Sequence, residues 1–192
     1  MREGYMSESQ EKLAVLFADI SGSSDIYEAL GEVQASRSIA ACIDFLNRLV
    51  ESCQGTLVKV IGDEFMCTFP DAEQAFHAAC AMQSAVEGYK FPDEMPVHIR
   101  IGFHFGEVSR ESDDVFGDTV TIAAQVAAIT RARQILVTHA VIESLPSTLQ
   151  ANTQKLERVV SQTDEVALPV YLVNWCNEEF DVRIGTAAQR KT

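Results

Sequence analysis

Six consecutive apolar residues, Leu13 to Ala18 (L-A-V-L-F-A), stop at Asp19, and this is the feature that most narrows what the chain can fold into. Such a run with no polar alternation predicts a strand buried on both faces, which requires packing layers above and below a sheet. It leads into the polar loop Ser21-Gly22-Ser23-Ser24, so a carboxylate is expected at the tip of a buried strand. With 192 residues, 47% of them hydrophobic and 22% charged, the chain can bury such a core as a single domain. That domain is expected over residues 11–178, between an N-terminal tail at 1–10 and a C-terminal tail at 179–192 read as disordered.

Downstream, Asp25 with Glu28 three residues on predicts the cap of a helix whose apolar positions Ile39, Ile43, Leu46 and Val50 recur at helical spacing, with Gly55 closing it. Thr56–Ile61 and Glu64–Phe69, separated by Gly62-Asp63 alone, predict a hairpin with a tight turn and Asp63 at its tip. Asp71, followed by Gln74, opens a second helix that carries Ala72, Phe76, Ala79 and Val86 and ends at Gly88. From Val97 to Phe105, apolar residues alternate with His98, Arg100, Gly102 and His104, the period of a half-buried strand. An acidic loop then leads to Gly117. Val120, Ala123, Ala124, Ala127 and Ala128 predict a small-residue helix lying close against the sheet.

The last third reads as a strand at Gln134–Thr138, a short helix near His139–Ser144, and strands near Lys155–Val160 and Val166–Val173, where Pro169 marks an edge or bulge. Strands and helices interleave through both hairpins and crossovers. The fold class is therefore α+β, with one sheet backed by helices.

Charge and cysteine usage restrict the partners. The net charge of −13, from 15 Lys+Arg against 28 Asp+Glu, argues against nucleic acid and anionic membranes, both polyanions. The apolar runs fall short of the ~20 residues of a membrane span, and Met1-Arg2-Glu3-Gly4 opens no signal sequence. The five cysteines, Cys42, Cys53, Cys67, Cys80 and Cys176, show no C-x-x-C pair, and a reduced cytoplasmic setting fits them. The first four read as small core residues. His98 and His104 are expected to be structural, His139 to cap or pack, and Trp175 to anchor the domain's end.

Two aspartates, one ending a buried strand and one at a hairpin tip, are what a site for two hard divalent cations requires. Mg²⁺ prefers a few carboxylates plus phosphate oxygens over an all-protein cage. Between them, Ser21-Gly22-Ser23-Ser24 leads into a helix N-terminus, whose free N–H groups and dipole suit a phosphate. Each piece is common alone. In order, however, F-A-D-I-S-G-S-S, K-V-I-G-D-E-F, R-I-G-F-H-F-G-E-V and D-V-F-G-D-T-V resemble the catalytic domain of class III adenylate/guanylate cyclases over about residues 11–175.

The resemblance implies a ferredoxin-like, palm-type fold, one mainly antiparallel sheet backed by helices, that dimerises head to tail with sites at the subunit interface. It implies that Asp19 and Asp63, with the Ile20 carbonyl, hold two Mg²⁺ or Mn²⁺ ions, and that Lys59 and Asp114 read the base. A lysine donor suits an adenine ring nitrogen, whereas guanine recognition needs an acceptor, so ATP is expected over GTP. The implied reaction is attack of the ribose 3′-hydroxyl on the α-phosphorus, giving 3′,5′-cyclic AMP and pyrophosphate. The partner is another copy, or a different cyclase domain in a heterodimer.

The sequence departs from the family in places. Thr121 and Gln125 stand where the family usually has an Asn and, four residues later, an Arg that orients the ribose and stabilises the transition state. Losing one such donor costs about 10²–10³ in rate, and losing the arginine about 10³–10⁵. The stretch Ser161–Glu165, where a phosphate-binding lysine is expected, is acidic instead. Arg131 and Arg133, at the end of the same predicted helix, are candidates to replace the missing charge. The alternative reading is a degenerate cyclase domain that binds nucleotide or a partner cyclase and regulates it. I-G-D-E-F also resembles the diguanylate cyclase signature, but Ile61 stands where that family expects glycine and the later blocks are foreign to it.

Overall fold

A computed structural model describes residues 9–88, 96–156 and 169–176. The apolar run lies within β1 (Ser9–Ser21), which starts two residues inside the expected tail. It is followed by α1 (Ser23–Leu30), α2 (Glu32–Ser52), β2 (Thr56–Ile61), β3 (Glu64–Phe69) and α3 (Ala72–Gly88). Then come β4 (His98–Glu111), β5 (Asp114–Phe116), α4 (Asp118–Ile129), β6 (Ile135–Thr138), α5 (His139–Ser144), α6 (Ser147–Gln150), β7 (Thr153–Leu156) and β8 (Val170–Val173).

These strands form one sheet in the order β2-β3-β1-β4-β6-β8-β7, with β5 folded back on β4. Among the described pairings only β4 with β6 is parallel. The mainly antiparallel α+β fold expected from the sequence is present. β1 is central, between β3 and β4, and its alternation divides the core in two. Ala14, Leu16, Ala18 and Ile20 pack with residues of α2 and α3, while Leu13, Val15 and Phe17 pack with Ala123 and Ala127 of α4. Both faces are buried because both faces are apolar.

Local chemistry accounts for several boundaries. Gly62 turns the β2–β3 hairpin at φ +67, in the left-handed region that favours glycine. Asp71 Oδ1 accepts the Gln74 N–H at 2.8 Å and caps α3. The small residues of α4 allow a very close approach to the sheet: a Cβ on Gly102 would lie 2.3 Å from the Ala127 backbone nitrogen.

Four expectations are corrected. The first predicted helix is two helices, broken at Gly31 (φ +75), and Asp25 lies in the first turn of α1 without capping it. The long helix ends at Ser52 and Gln54 takes φ +60, with the Gly55 N–H closing the segment on the Val50 carbonyl at 2.9 Å as expected, but Cys53 is half-buried, unlike Cys42, Cys67 and Cys80. The acidic loop is replaced by a continuation of β4 to Glu111 and a hairpin into β5, because β1 supplies partners along its whole length. Of the strand expected near Lys155–Val160, the described part belongs to β7, which starts two residues earlier, and of that near Val166–Val173 the described part is β8, from Val170 immediately after Pro169; residues 157–160 and 166–168 lie outside the described residues. Ser161–Glu165 and the C-terminal tail lie outside the described residues. Among the described residues, no helix is long and apolar enough to cross a membrane.

Candidate functional site

A cavity of about 650 Å³ opens where β1 ends. β1 delivers Asp19, Ile20 and Ser21 to it, the turn into α1 adds Gly22, Ser23 and Ser24, and the β2–β3 hairpin adds Asp63. The strand tip and the hairpin tip are tied together by the Ile20 N–H, which donates to the Asp63 carbonyl at 3.2 Å. The predicted carboxylates and the predicted phosphate turn therefore share one space. Gly22 takes φ +77 and precedes the first turn of α1, which has no side-chain cap, so its leading N–H groups are not taken by a capping side chain.

Sequence reasoning missed two charged neighbours of Asp19. In the sheet register Glu64 of β3 lies opposite Asp19 on one side and Arg100 of β4 on the other. Arg100 Nε donates to Asp19 Oδ2. Burial pushes the Asp19 carboxyl above its usual range and the Asp63 charge adds to this, while Arg100 opposes both. Glu64 is raised in the same way, first by burial and then by the charge of Asp19. Both residues sit inside the quoted motifs, R-I-G-F and G-D-E-F, but only the register puts them beside Asp19.

The donor set suits hard cations. Asp19 and Asp63 offer carboxylate oxygens and Ile20 a carbonyl. Ser21 Oγ, outside that set, is buried in the same lining with no hydrogen-bond partner among the described residues. Two carboxylates with the remaining positions left to phosphate oxygens and water match Mg²⁺ or Mn²⁺ better than an all-protein cage. No group of three or more His, Cys, Asp and Glu side chains is gathered for an ion among the described residues.

Lys59 and Asp114 lie outside this cavity and are joined to each other. Lys59 Nζ donates to both Asp114 carboxylate oxygens, at 2.9 and 2.7 Å. That hydrogen bond holds the Asp114 carboxyl below its usual range. A bulge between Leu57 and Lys59 re-aims β2 just before the lysine, and the β4–β5 hairpin carries Asp114 back to meet it. Thr121 and Gln125 are both exposed, one turn apart on α4, and neither lines the cavity.

The matching family model is described as the adenylate and guanylate cyclase catalytic domain, and it covers residues 5–175. The chain belongs to that family. It is 33% identical over 140 residues to an adenylate cyclase of Streptomyces coelicolor, covering 73% of this chain and 36% of that protein. An adenylate cyclase of Anabaena cylindrica is 30% identical over 159 residues, covering 71% of this chain and 31% of the relative. The chain thus spans about a third of the length of these curated relatives. Among solved structures, an adenylate cyclase of Trypanosoma brucei in its monomeric state superposes with a TM-score of 0.76 at 18% identity, over 88% of this chain and 90% of that one. At that identity the likeness is one of fold.

The other singled-out residues of this cyclase domain have structural partners. His98 pairs with Glu87, His104 Nδ1 lies 2.7 Å from Thr138 Oγ1, and His139 stacks on Tyr171. Trp175 Nε1 donates to the Arg133 carbonyl at 2.9 Å. The two arginine candidates part company: Arg131 lines the cavity, whereas Arg133 is held by Glu87 at 2.7 Å.

Proposed function

We propose that this domain is a cytosolic nucleotide cyclase that converts ATP to 3′,5′-cyclic AMP and pyrophosphate, working as a dimer. One observation carries the reading. Asp19, Asp63 and the serine turn share a cavity, while Lys59, Asp114 and the exposed Thr121/Gln125 face lie outside it. A second cyclase domain set head to tail would bring the base-reading pair and the α4 face of one chain to the carboxylates of the other. The curated relatives are named adenylate cyclase, which supports ATP as substrate.

The ribose 3′-hydroxyl attacks the α-phosphorus, the bond to pyrophosphate breaks, and the hydroxyl proton passes to solvent water. Mg²⁺ or Mn²⁺ ions held by the Asp19 and Asp63 carboxylates and the Ile20 carbonyl would lower the pKa of that hydroxyl and neutralise phosphate charge. The N–H groups after Gly22 and the Ser21 hydroxyl are donors for phosphoryl oxygens. Arg100 opposes the burial that raises the Asp19 carboxyl and so favours its ionised form.

Adenine offers an acceptor ring nitrogen beside a donor amino group, and Lys59 with Asp114 is the complementary donor and acceptor. Guanine presents the reverse polarity there. Without nucleotide the two side chains satisfy each other, and the base takes both over. On α4, Thr121 keeps one hydroxyl donor and Gln125 a neutral amide, so transition-state charge is stabilised less than by the family's Asn and Arg, and turnover is slow.

The test is to incubate the purified chain with ATP and Mn²⁺, and in parallel with Mg²⁺ and with GTP, using Asp19→Ala as the control. Cyclic AMP that disappears in the variant is the expected result. Cyclic GMP in its place, product that survives Asp19→Ala, or no cyclic nucleotide under any condition would overturn the reading.

A further inference from the structure

The cavity at the end of β1 is lined by three acidic residues, Asp19, Asp63 and Glu64, and by two arginines, Arg100 and the exposed Arg131. Arg100 is committed to Asp19. Arg131 makes no ion pair among the described residues, which leaves it as the cavity's uncommitted cation.

The backbone around Arg131 is fixed. Thr130, buried at the end of α4, donates its hydroxyl to the Val126 carbonyl at 2.7 Å. The Arg131 N–H is accepted by Gln134 Oε1 at 3.2 Å, and the Arg131 carbonyl accepts the Gln134 N–H at 3.1 Å. The turn is pinned to β4 beside Arg100: the Ile99 carbonyl accepts the Arg133 N–H at 2.8 Å, and the buried Gln83 amide bridges the Ile99 and Gln134 carbonyls. Arg133 pays for its place in this turn with a left-handed backbone (φ +65), and its side chain is turned to Glu87. Two arginines two residues apart are thus sorted, one structural and one presented to the cavity.

Ser21 Oγ, buried and unpartnered in the same lining, points independently to an oxygen-rich ligand there. A polyphosphate chain meets these demands together, since it can accept from the hydroxyl and from a guanidinium in bidentate fashion.

We propose that Arg131 is a polyphosphate-binding residue of the cyclase site, taking the phosphate tail of the nucleotide from the same chain that supplies Asp19 and Asp63. The inference rests on the cyclase reading only for the identity of the ligand. It makes the cation local to the carboxylates, so every site of a homodimer keeps it whatever stands at Gln125.

Calorimetric titration of inorganic tripolyphosphate with Mn²⁺ into the full chain tests it without needing base recognition or turnover. Arg131→Ala is expected to weaken tripolyphosphate about tenfold or more, the loss of a charge-assisted contact. Arg131→Lys should recover part of that, and Arg133→Gly, which removes the same charge from the same turn, should stay within about twofold. Tripolyphosphate affinity in Arg131→Ala within twofold of the parent, or equal losses in Arg131→Ala and Arg133→Gly, would overturn the proposal, as would a parent chain that does not bind tripolyphosphate. Arg131-dependent binding in a preparation that makes no cyclic nucleotide would sustain it while sinking the cyclase reading. Cyclic AMP formation with an unchanged KM in Arg131→Ala would sink it alone.

Discussion

His104 is a half-buried imidazole whose Nδ1 is engaged by Thr138, and burial lowers its pKa below the ordinary 6.5. Between that lowered value and 6.5 the unfolded chain binds more protons than the folded one, so stability rises with pH across this window. His104 therefore contributes fully above pH 6.5, and its contribution is lost as the pH falls through the folded value. Replacing it by Gln should flatten the dependence of the urea midpoint on pH below 6.5 and leave the neutral-to-alkaline limb unchanged. An equally steep acid limb in His104→Gln would refute the assignment. The residue scale also shows what a sequence can carry. Motif spacing marked Asp19, Asp63, Lys59 and Asp114 as candidates; the structure brings the first two to one cavity and pairs the other two. Glu64 and Arg100 were not read as neighbours of Asp19, since that row exists only once β3, β1 and β4 are in register.

At the scale of elements, β2, β3 and α5 fell where the pattern put them, because each is bounded by turn chemistry or by a change of period. The second half of β4 was illegible. Its Glu107, Val108 and Ser109 break the alternation, and it is held by pairing with the polar start of β1, including the Arg110–Glu11 ion pair. The contact of α4 with β4 hinges on Gly102, where an added Cβ would meet backbone atoms of Val126 and Ala127 below 3 Å. Backbone cannot step aside as a side-chain end can. Gly102→Ala should cost about 2–3 kcal/mol in denaturant unfolding, and a cost within error would mean that α4 is free to lift. On the proposed reading, the outer face of the same helix limits the rate. Asn at Thr121 together with Arg at Gln125 should raise kcat by about 10²-fold or more. No gain would remove α4 from the transition state.

At the scale of the whole molecule, the proposed cyclase reading leaves the site incomplete within one chain. The carboxylate cavity and the Lys59–Asp114 pair belong to different parts of the surface, and exposed apolar side chains flank the pair. Val60 and Ile61 are 47% and 57% exposed at the sheet-edge strand β2, and Phe116 is 44% exposed near the Lys59 ammonium. Apolar exposure beside an ion pair is compatible with a surface that another protein covers. If that protein is a second copy, each site draws Asp19 from one chain and Lys59 from the other. Chains carrying Asp19→Ala alone or Lys59→Ala alone are then inactive, yet mixing them puts both defects into one site of each mixed dimer and leaves the other site whole. With random pairing, about a quarter of the parent activity should return on mixing. A site built within one chain predicts no recovery, because every chain in the mixture carries a defect. The Thr121→Asn, Gln125→Arg background gives this assay the signal it needs, so one cyclic AMP measurement on the mixture distinguishes the two architectures.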